Sequence, residues 1–451
     1  MENFKNLSDE KIITDLLPQK FGRRGMIWTS GLMVLCGIGG FAYIKQLKEG
    51  LIVTNMGDYV SWGIYISNFV FFVAVSLVGS LITAIFRLSG VQWRTPLTRI
   101  AEIIAVSNIT FAALIIIVDM GRPERLYFLF NHGRIQSPIL WDVIVITTYF
   151  FLSLFLLYIT LIPDISLMIS LKFKIGKRFS KIYKWLASFW KGTEGQEKLR
   201  DRAITILCVT IVPVAFCIHT VTSWLFATTY RPGWDSSNFG AYFVSGAFLV
   251  GAGAVVVAMY IYRRVYKLDR YITDDHFNKM GKITVLLALL YLYFNVNEFL
   301  VPAFKMKNEE KDYLNGLLNG DYSLMFWFAV LTGMIIPILI MIFKKGRKPL
   351  PMFVAGIMIV VAAWFKRYLI VTPTLLHPFL PKYDSPLRFN HYFPSWEEWA
   401  ITIGSMAGVL LIITFFTRFF PIISIYKTLE DKHTITKKTE TIEQYESVQI
   451  S

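Results

Sequence analysis

The sequence predicts an all-α integral membrane protein of about ten transmembrane helices, arranged as two four-helix bundles plus flanking helices. Three observations carry this expectation. The 451 residues are 55% hydrophobic and only 17% charged, whereas soluble domains carry roughly 25% charged residues. Apolar runs long enough to cross a bilayer as helices, about 20 residues or more, recur at 26–46, 61–86, 97–120, 138–162, 202–228, 241–265, 281–302, 322–343, 351–375 and 397–417. Basic residues gather in alternate connections, with five Lys/Arg in 1–25, nine in 163–200, six in 263–282, four in 344–348 and five from Arg418 onward.

That alternation follows the positive-inside rule and expects both termini in the cytoplasm. It assigns the net charge of +15 to topology, not to a nucleic-acid partner. Residues 1–25 are polar, and the first apolar run is too long for a signal-peptide core, so a cleavable signal is not expected. The second span opens with Gly63-x-Tyr65 and Phe71, and the sixth with Gly240-x-Tyr242 and Phe248, the same spacing 177 residues on. This offset maps spans two to five onto six to nine. The expected organisation is a cytoplasmic segment 1–25, a flanking helix 26–46, a first four-helix bundle 61–228, a second 241–375, a flanking helix 397–417 and a mobile tail 427–451. Between the fourth and fifth spans, Ile182, Trp185, Leu186, Phe189 and Trp190 recur at helical spacing against Lys181, Lys184 and Lys191. This is the pattern of a helix lying on a membrane surface against anionic lipid. Cys36, Cys208 and Cys217 all fall inside spans, form no CxxC or Cys/His cluster, and read as apolar fillers rather than metal ligands.

The most informative segment is Asp119–Asp142, DMGRPERLYFLFNHGRIQSPILWD, which joins the third and fourth spans on the outer side. Gly121 and Pro123 stop one helix, and Ser137 and Pro138 suit the N-cap and first position of the next. Asp142 then lies about one turn deep, roughly 7 Å along the axis. His219 lies roughly 14 Å inside the outer end of the fifth span. Ionisable groups inside a span are costly and mark cavities, relays or ligands. Trp62, Tyr65 and Asn68 lie near the same face on the second span. Each has a plainer reading. Asp119 could be neutralised by Arg122 or Arg125, Asp142 could serve the helix N-terminus, and His219 could bond a backbone carbonyl. In the second bundle, Glu298 near the outer end of the seventh span and Lys366 and Arg367 in the ninth could neutralise one another or form a proton path.

Of six His, only His219 is clearly inside a span. A bis-His haem needs two, so no haem is expected, and no iron–sulfur cluster or other metal site is expected of this chain. Such a chain handles electrons only through a diffusible carrier and a partner. The segments GDYVSWGIYISNFVFFV from Gly57, DMGRPERL from Asp119 and GRIQSPILWDV from Gly133 resemble the NrfD-like polysulfide-reductase membrane-subunit family, with WFKRYLIVTPTLL from Trp364 fitting its second bundle. Within the family, the chain looks most like the quinol-binding membrane subunit (ActC) of bacterial alternative complex III. The paralogous second subunit of that complex is the other reading.

The resemblance implies a location in the bacterial inner membrane and a quinol site near the periplasmic face, with menaquinol or ubiquinol as substrate. Partners would be an iron–sulfur subunit on the outer face, multihaem cytochrome c subunits, a second NrfD-like membrane subunit and a terminal oxidase. Carried over by position, Asp142 and His219 become the acid/base pair facing the quinol, and Asp119, Arg122, His132 and Arg134 line or brace the same region. Tyr65 and Trp62 could sandwich the ring. The rival classes are a secondary transporter, which usually breaks helices at its site with Gly or Pro, and a passive membrane scaffold for redox subunits.

Overall fold

The computed structural model describes residues 7–173, 177–305, 307–379 and 391–434. The described residues form helices and connections, with no strand. Nine helices among them are long and apolar enough to cross a membrane. They are α2 (Arg23–Glu49), α4 (Thr95–Asp119 with the turn before it), α5 (Pro138–Ser170), α7 (Glu194–Ala227), α8 (Phe239–Val265), α9 (Asp274–Lys305), the composite α11 (Ser323–Val330) and α12 (Ile336–Ile342), α13 (Pro349–Leu376) and α14 (Trp396–Phe419). The tenth pass is α3 (Ile64–Ser76) and its continuation to Leu88. The shorter helices include α1 (Asp9–Leu16), α6 (Lys177–Leu186) and α10 (Asn308–Leu318), and a five-residue helix, Phe128–His132, lies between α4 and α5.

The second span is not one regular helix. α3 ends at Ser76 and a π-helical stretch, Ser80–Ile85, follows. Gly79 sits at the break because a Cβ there would lie 2.6 Å from that of Ala105 on α4. Such a distortion disturbs the ordinary backbone ladder, and the Tyr149 hydroxyl of α5 donates to the Ser76 carbonyl at 2.8 Å. A second π stretch, Leu331–Ile335, joins α11 to α12. The fourth span runs longer than its apolar run, through Pro163 to Ser170. The fifth starts at Glu194, where the Thr193 side chain caps the Gln196 amide.

α3 is buried along its whole length, as befits a helix apolar all round. It packs on α4, α4 on α5, and α5 on α7, while α8 packs on α9 and α13, and α13 on α11 and α12. The two groups meet where α3 and α7 touch α8 and where α3 touches α13. The flanking helices α2 and α14 pair with each other and lean on the first group through α4. Their backbones nearly touch, since a Cβ on Gly39 would lie 3.0 Å from the Gly404 Cα.

Both ends of the described chain meet on one face. Lys432 Nζ lies 2.7 Å from Asp9 Oδ1, and His433 Nε2 3.0 Å from Asp9 Oδ2. We call this the terminal face and the other the distal face, the one expected outside. α6 docks by Tyr183, whose hydroxyl donates to the Phe419 carbonyl. Trp185 and Phe189 are left 71% and 80% exposed, available to lipid. The expected polar tail lies mostly outside the described residues.

Candidate functional site

Asp142 and His219 come together through a third residue. α5 begins at Pro138 with Ser137 at the N-cap position, although the Ser137 side chain makes no capping bond. Asp142 faces inward and is buried. Its Oδ1 lies 2.7 Å from the Thr222 hydroxyl of α7. Thr222 is three residues beyond His219, so the two share a face of α7 with His219 about 4.5 Å further from the distal end. His219 is buried, and its Nε2 has no hydrogen-bond partner among the described residues. The site therefore holds a carboxyl group, a hydroxyl and an imidazole nitrogen on two packed helices, in the distal half of the first bundle.

Arg367 reaches toward this place from the second bundle. Its guanidinium lies 4.8 Å from the Phe243 ring and against Gly246, where a Cβ would come within 3.2 Å of Nη2. Arg367 Nη1 is also without a partner among the described residues. Trp62 is half-buried, stacks on Trp234 at 6.0 Å and meets Phe226 of α7 edge-on at 5.7 Å.

Tyr65 and Asn68 belong elsewhere. The Tyr65 hydroxyl donates to Gln46 Oε1 of α2 at 2.7 Å, and Gln46 Nε2 donates to the Val118 carbonyl at 2.8 Å. Asn68 donates to Thr402 of α14 at 2.7 Å and accepts from Trp364 Nε1 of α13 at 2.8 Å. These bonds bind α3 to its neighbours, and they satisfy groups that the sequence had suggested for a ligand. Asp119 lies near the same layer, half-buried, with Oδ1 unpartnered. Arg122, Arg125, His132 and Arg134 are exposed on the distal surface, and among the described residues none pairs with Asp119. Neutralisation of Asp119 by Arg122 or Arg125, the plainer of its two readings, is thus not formed, because those side chains turn to the surface.

In the second bundle, mutual neutralisation, one of the two readings of its polar residues, is not formed. Among the described residues, Glu298 makes no ion pair with Lys366 or Arg367. It accepts from the Ser236 hydroxyl at 2.7 and 2.9 Å and from Asn238 at 3.2 Å. Lys366 lies over Phe299 and Phe326, 4.5 and 4.8 Å from the ring centres. Hydroxyl and amide donors satisfy the carboxylate, and aromatic faces hold the ammonium. Lys366 and Arg367 also line a cavity of about 20 Å³, enough for one water.

Sequence reasoning missed Thr222, whose signal was its spacing from His219. It also missed Glu398, which ties the distal ends together. Glu398 accepts from the Asn55 and Ser395 amides, both at 2.9 Å, and from the Tyr392 hydroxyl at 2.5 Å.

An all-helical membrane protein with a buried carboxyl–hydroxyl–imidazole set within one bundle is the class the structure defines. The polysulphide reductase NrfD family profile matches residues 52–378, and the chain belongs to that family. It is 27% identical, over 76% of its length and 75% of the other, to a provisionally named dimethyl sulfoxide reductase membrane subunit of Halobacterium salinarum. It is 23% identical to a selenate reductase subunit of Mesobacillus selenatarsenatis over 88% of this chain and 94% of that one. It is 23% identical to the menaquinone reductase integral membrane subunit of Nitratidesulfovibrio vulgaris over 88% and 91% of the two chains. Two of these relatives are named as membrane subunits of reductases and the third as a reductase subunit, and none of the three names specifies alternative complex III.

Proposed function

We propose that this chain is the quinol-oxidising membrane subunit of a respiratory oxidoreductase. The observation that carries the reading is the buried Asp142–Thr222–His219 set with a bare imidazole nitrogen. Oxidising a quinol to a quinone removes two electrons and two protons. The His219 Nε2 lone pair can accept one hydroxyl proton, and an ionised Asp142 the other. Thr222 holds the carboxyl group in place. The electrons pass to a partner, an iron–sulfur subunit on the distal face in this reading. The exposed Arg122, Arg125 and Arg134 there offer a basic surface for docking. Menaquinol is the favoured substrate, because one relative is named for menaquinone. The finer assignment to an alternative complex III, with multihaem cytochromes, a second family member and a terminal oxidase as partners, rests on the motif resemblance. So does the placement in a bacterial inner membrane with cytoplasmic termini, together with the charge pattern.

Asp142→Asn and His219→Gln should each abolish quinol-dependent reduction of the partner in the assembled complex. Quinol-independent electron transfer within the partner should be unaffected. Wild-type quinol turnover in both variants would sink the assignment and leave the scaffold reading. The transporter reading has one point in its favour, the π-helical break at Ser80–Ile85. It predicts substrate uptake by the chain in vesicles without any redox partner.

A further inference from the structure

A second polar site lies at the other end of the first bundle, toward the terminal face. A cavity of about 70 Å³ opens between the N-terminal ends of α4 and α7, the C-terminal part of α5 and the segment after α14. That is room for several waters or one small oxyanion. Five cationic side chains line it, Arg87, Arg94, Arg99, Arg200 and Lys427, against two carboxylates, Glu102 and Asp201.

The cations are unequally compensated. Arg99 is buried and bonded to Asp164 at 2.5 Å and to the Thr160 carbonyl at 2.7 Å. Lys427 pairs with Glu430 at 3.0 Å and Asp431 at 3.5 Å. Arg87 and Arg200 share Asp201, at 3.8 and 3.1 Å. Arg94 has no ion pair among the described residues. The Nε atoms of Arg94, Arg99 and Arg200 are all shut off from solvent without a hydrogen-bond partner. Glu102, at the deep end, accepts from Thr160 at 2.8 Å through one oxygen, and its other oxygen is bare.

Guanidinium N–H groups withdrawn from water without an acceptor are costly, even where the rest of the guanidinium is paired. An anion in the cavity removes that cost, and planar guanidinium edges suit tetrahedral phosphate better than a point cation does. The remaining wall is apolar, with Pro163 and Ile204. Basic pockets between helices near the membrane surface take phosphate headgroups.

We propose that this cavity binds a phosphate group, with Arg94 and Arg200 as its principal donors. The source is an acidic phospholipid headgroup or free phosphate, and the measurement separates the two. Native mass spectrometry of the purified full-length chain in neutral detergent would be titrated with dioleoyl-phosphatidylglycerol, dioleoyl-phosphatidylcholine and inorganic phosphate. One equivalent of phosphatidylglycerol, held in preference to phosphatidylcholine, supports the lipid source. Its displacement by millimolar inorganic phosphate supports the soluble one. Arg94→Gln should weaken retention about fivefold. Glu102→Gln should strengthen it, since it removes a carboxylate from the cavity wall. The opposite signs separate a binding role from damage to the fold. Weakening by both variants alike, unchanged affinity in both, or no phosphate-bearing ligand retained by the wild type overturns the proposal.

Discussion

The Thr222 hydroxyl stands 2.7 Å from Asp142 Oδ1 and also 2.7 Å from the Ile218 carbonyl one turn back on its own helix. A hydroxyl has one hydrogen and cannot serve both acceptors at once. With Asp142 ionised, Thr222 donates to it and releases Ile218. With Asp142 protonated, the acid donates to Thr222, which keeps its helix bond. Either state of the carboxyl group leaves it bonded. Thr222→Val removes this accommodation. Quinol turnover should then fall about tenfold, the rate equivalent of a lost hydrogen bond to a charged group. Thr222→Ser should restore most of it. Steady-state kinetics of the assembled complex checks both, and full activity in the Val variant would remove Thr222 from the site.

Asn68 bridges α13 and α14 through Trp364 and Thr402. Asn68→Leu leaves the Trp364 indole N–H without its acceptor and removes the donor to the Thr402 hydroxyl, which still donates to the Glu398 carbonyl. Interhelical hydrogen bonds in membranes average about 0.6 kcal/mol each, so a loss of about 1–2 kcal/mol is expected. The apparent Tm should drop, with the KM for quinol unchanged. A raised KM with an unchanged Tm would instead return Asn68 to the ligand site that the sequence suggested.

What the sequence made legible divides along physical lines. Span positions follow from local apolar length, and nine of the described helices cross where the runs lie. Asp142 and His219 stood out because an ionisable residue is conspicuous in an apolar run. The orientation of Tyr65 and Asn68 was not legible, because α3 is apolar on every side and no face identifies its neighbours. The terminal-face cavity was half legible. Arg99 and Glu102 sit inside the third apolar run, one turn apart. Asp164 was set outside the fourth because that run ends at 162, yet the helix continues through Pro163.

Gly39 and Gly404 set the distance between α2 and α14. A Cβ on Gly39 would come 2.9 Å from the Ala400 carbonyl oxygen and 3.0 Å from the Gly404 Cα. Both neighbours are backbone and cannot swing away. Gly39→Val should therefore force the flanking pair apart at a cost of roughly 1–3 kcal/mol. Gly37→Val, which meets open space, should be close to neutral. Proteolysis or thermal unfolding of the two variants side by side reads the difference.

The clasp between the chain ends is sensitive to acid. Lys432 beside Asp9 holds its carboxyl below the usual carboxylate range, with His433 adding to the effect. A carboxyl depressed in the folded state contributes stability above its unfolded value, and that contribution is lost as pH falls through the folded one. The unfolded value is about 3.9, so the clasp should hold at neutral pH and loosen only below about 4. Asp9→Asn should loosen it at every pH. Hydrogen exchange over residues 8–16 follows the opening. Equal protection in the wild type and Asp9→Asn at pH 7 would show that apolar packing of Ile12 and Leu16 alone holds α1.

Lys366 offers a test of whether the second bundle carries protons. Its ammonium lies among Phe299, Phe326 and, at 5.9 Å, Tyr242, and no carboxylate within ion-pair distance among the described residues neutralises it. Lys366→Met keeps much of the shape and removes the charge. A purely structural lysine predicts near-neutral or improved stability, because a well-packed apolar replacement of a buried charge often stabilises. It also predicts unchanged quinol turnover and unchanged proton movement. A lysine in a proton path predicts something else. Quinol turnover would persist, because the Asp142–His219 site lies in the other bundle. Proton movement across the vesicle membrane per quinol would fall to the scalar release alone. Glu298→Gln should give the same split if the carboxylate shares the path. It should only lower stability, through its bonds to Ser236 and Asn238, if it does not. Measuring turnover and proton movement on the same vesicle preparation decides between them, since a folding defect lowers both and a blocked path lowers only one.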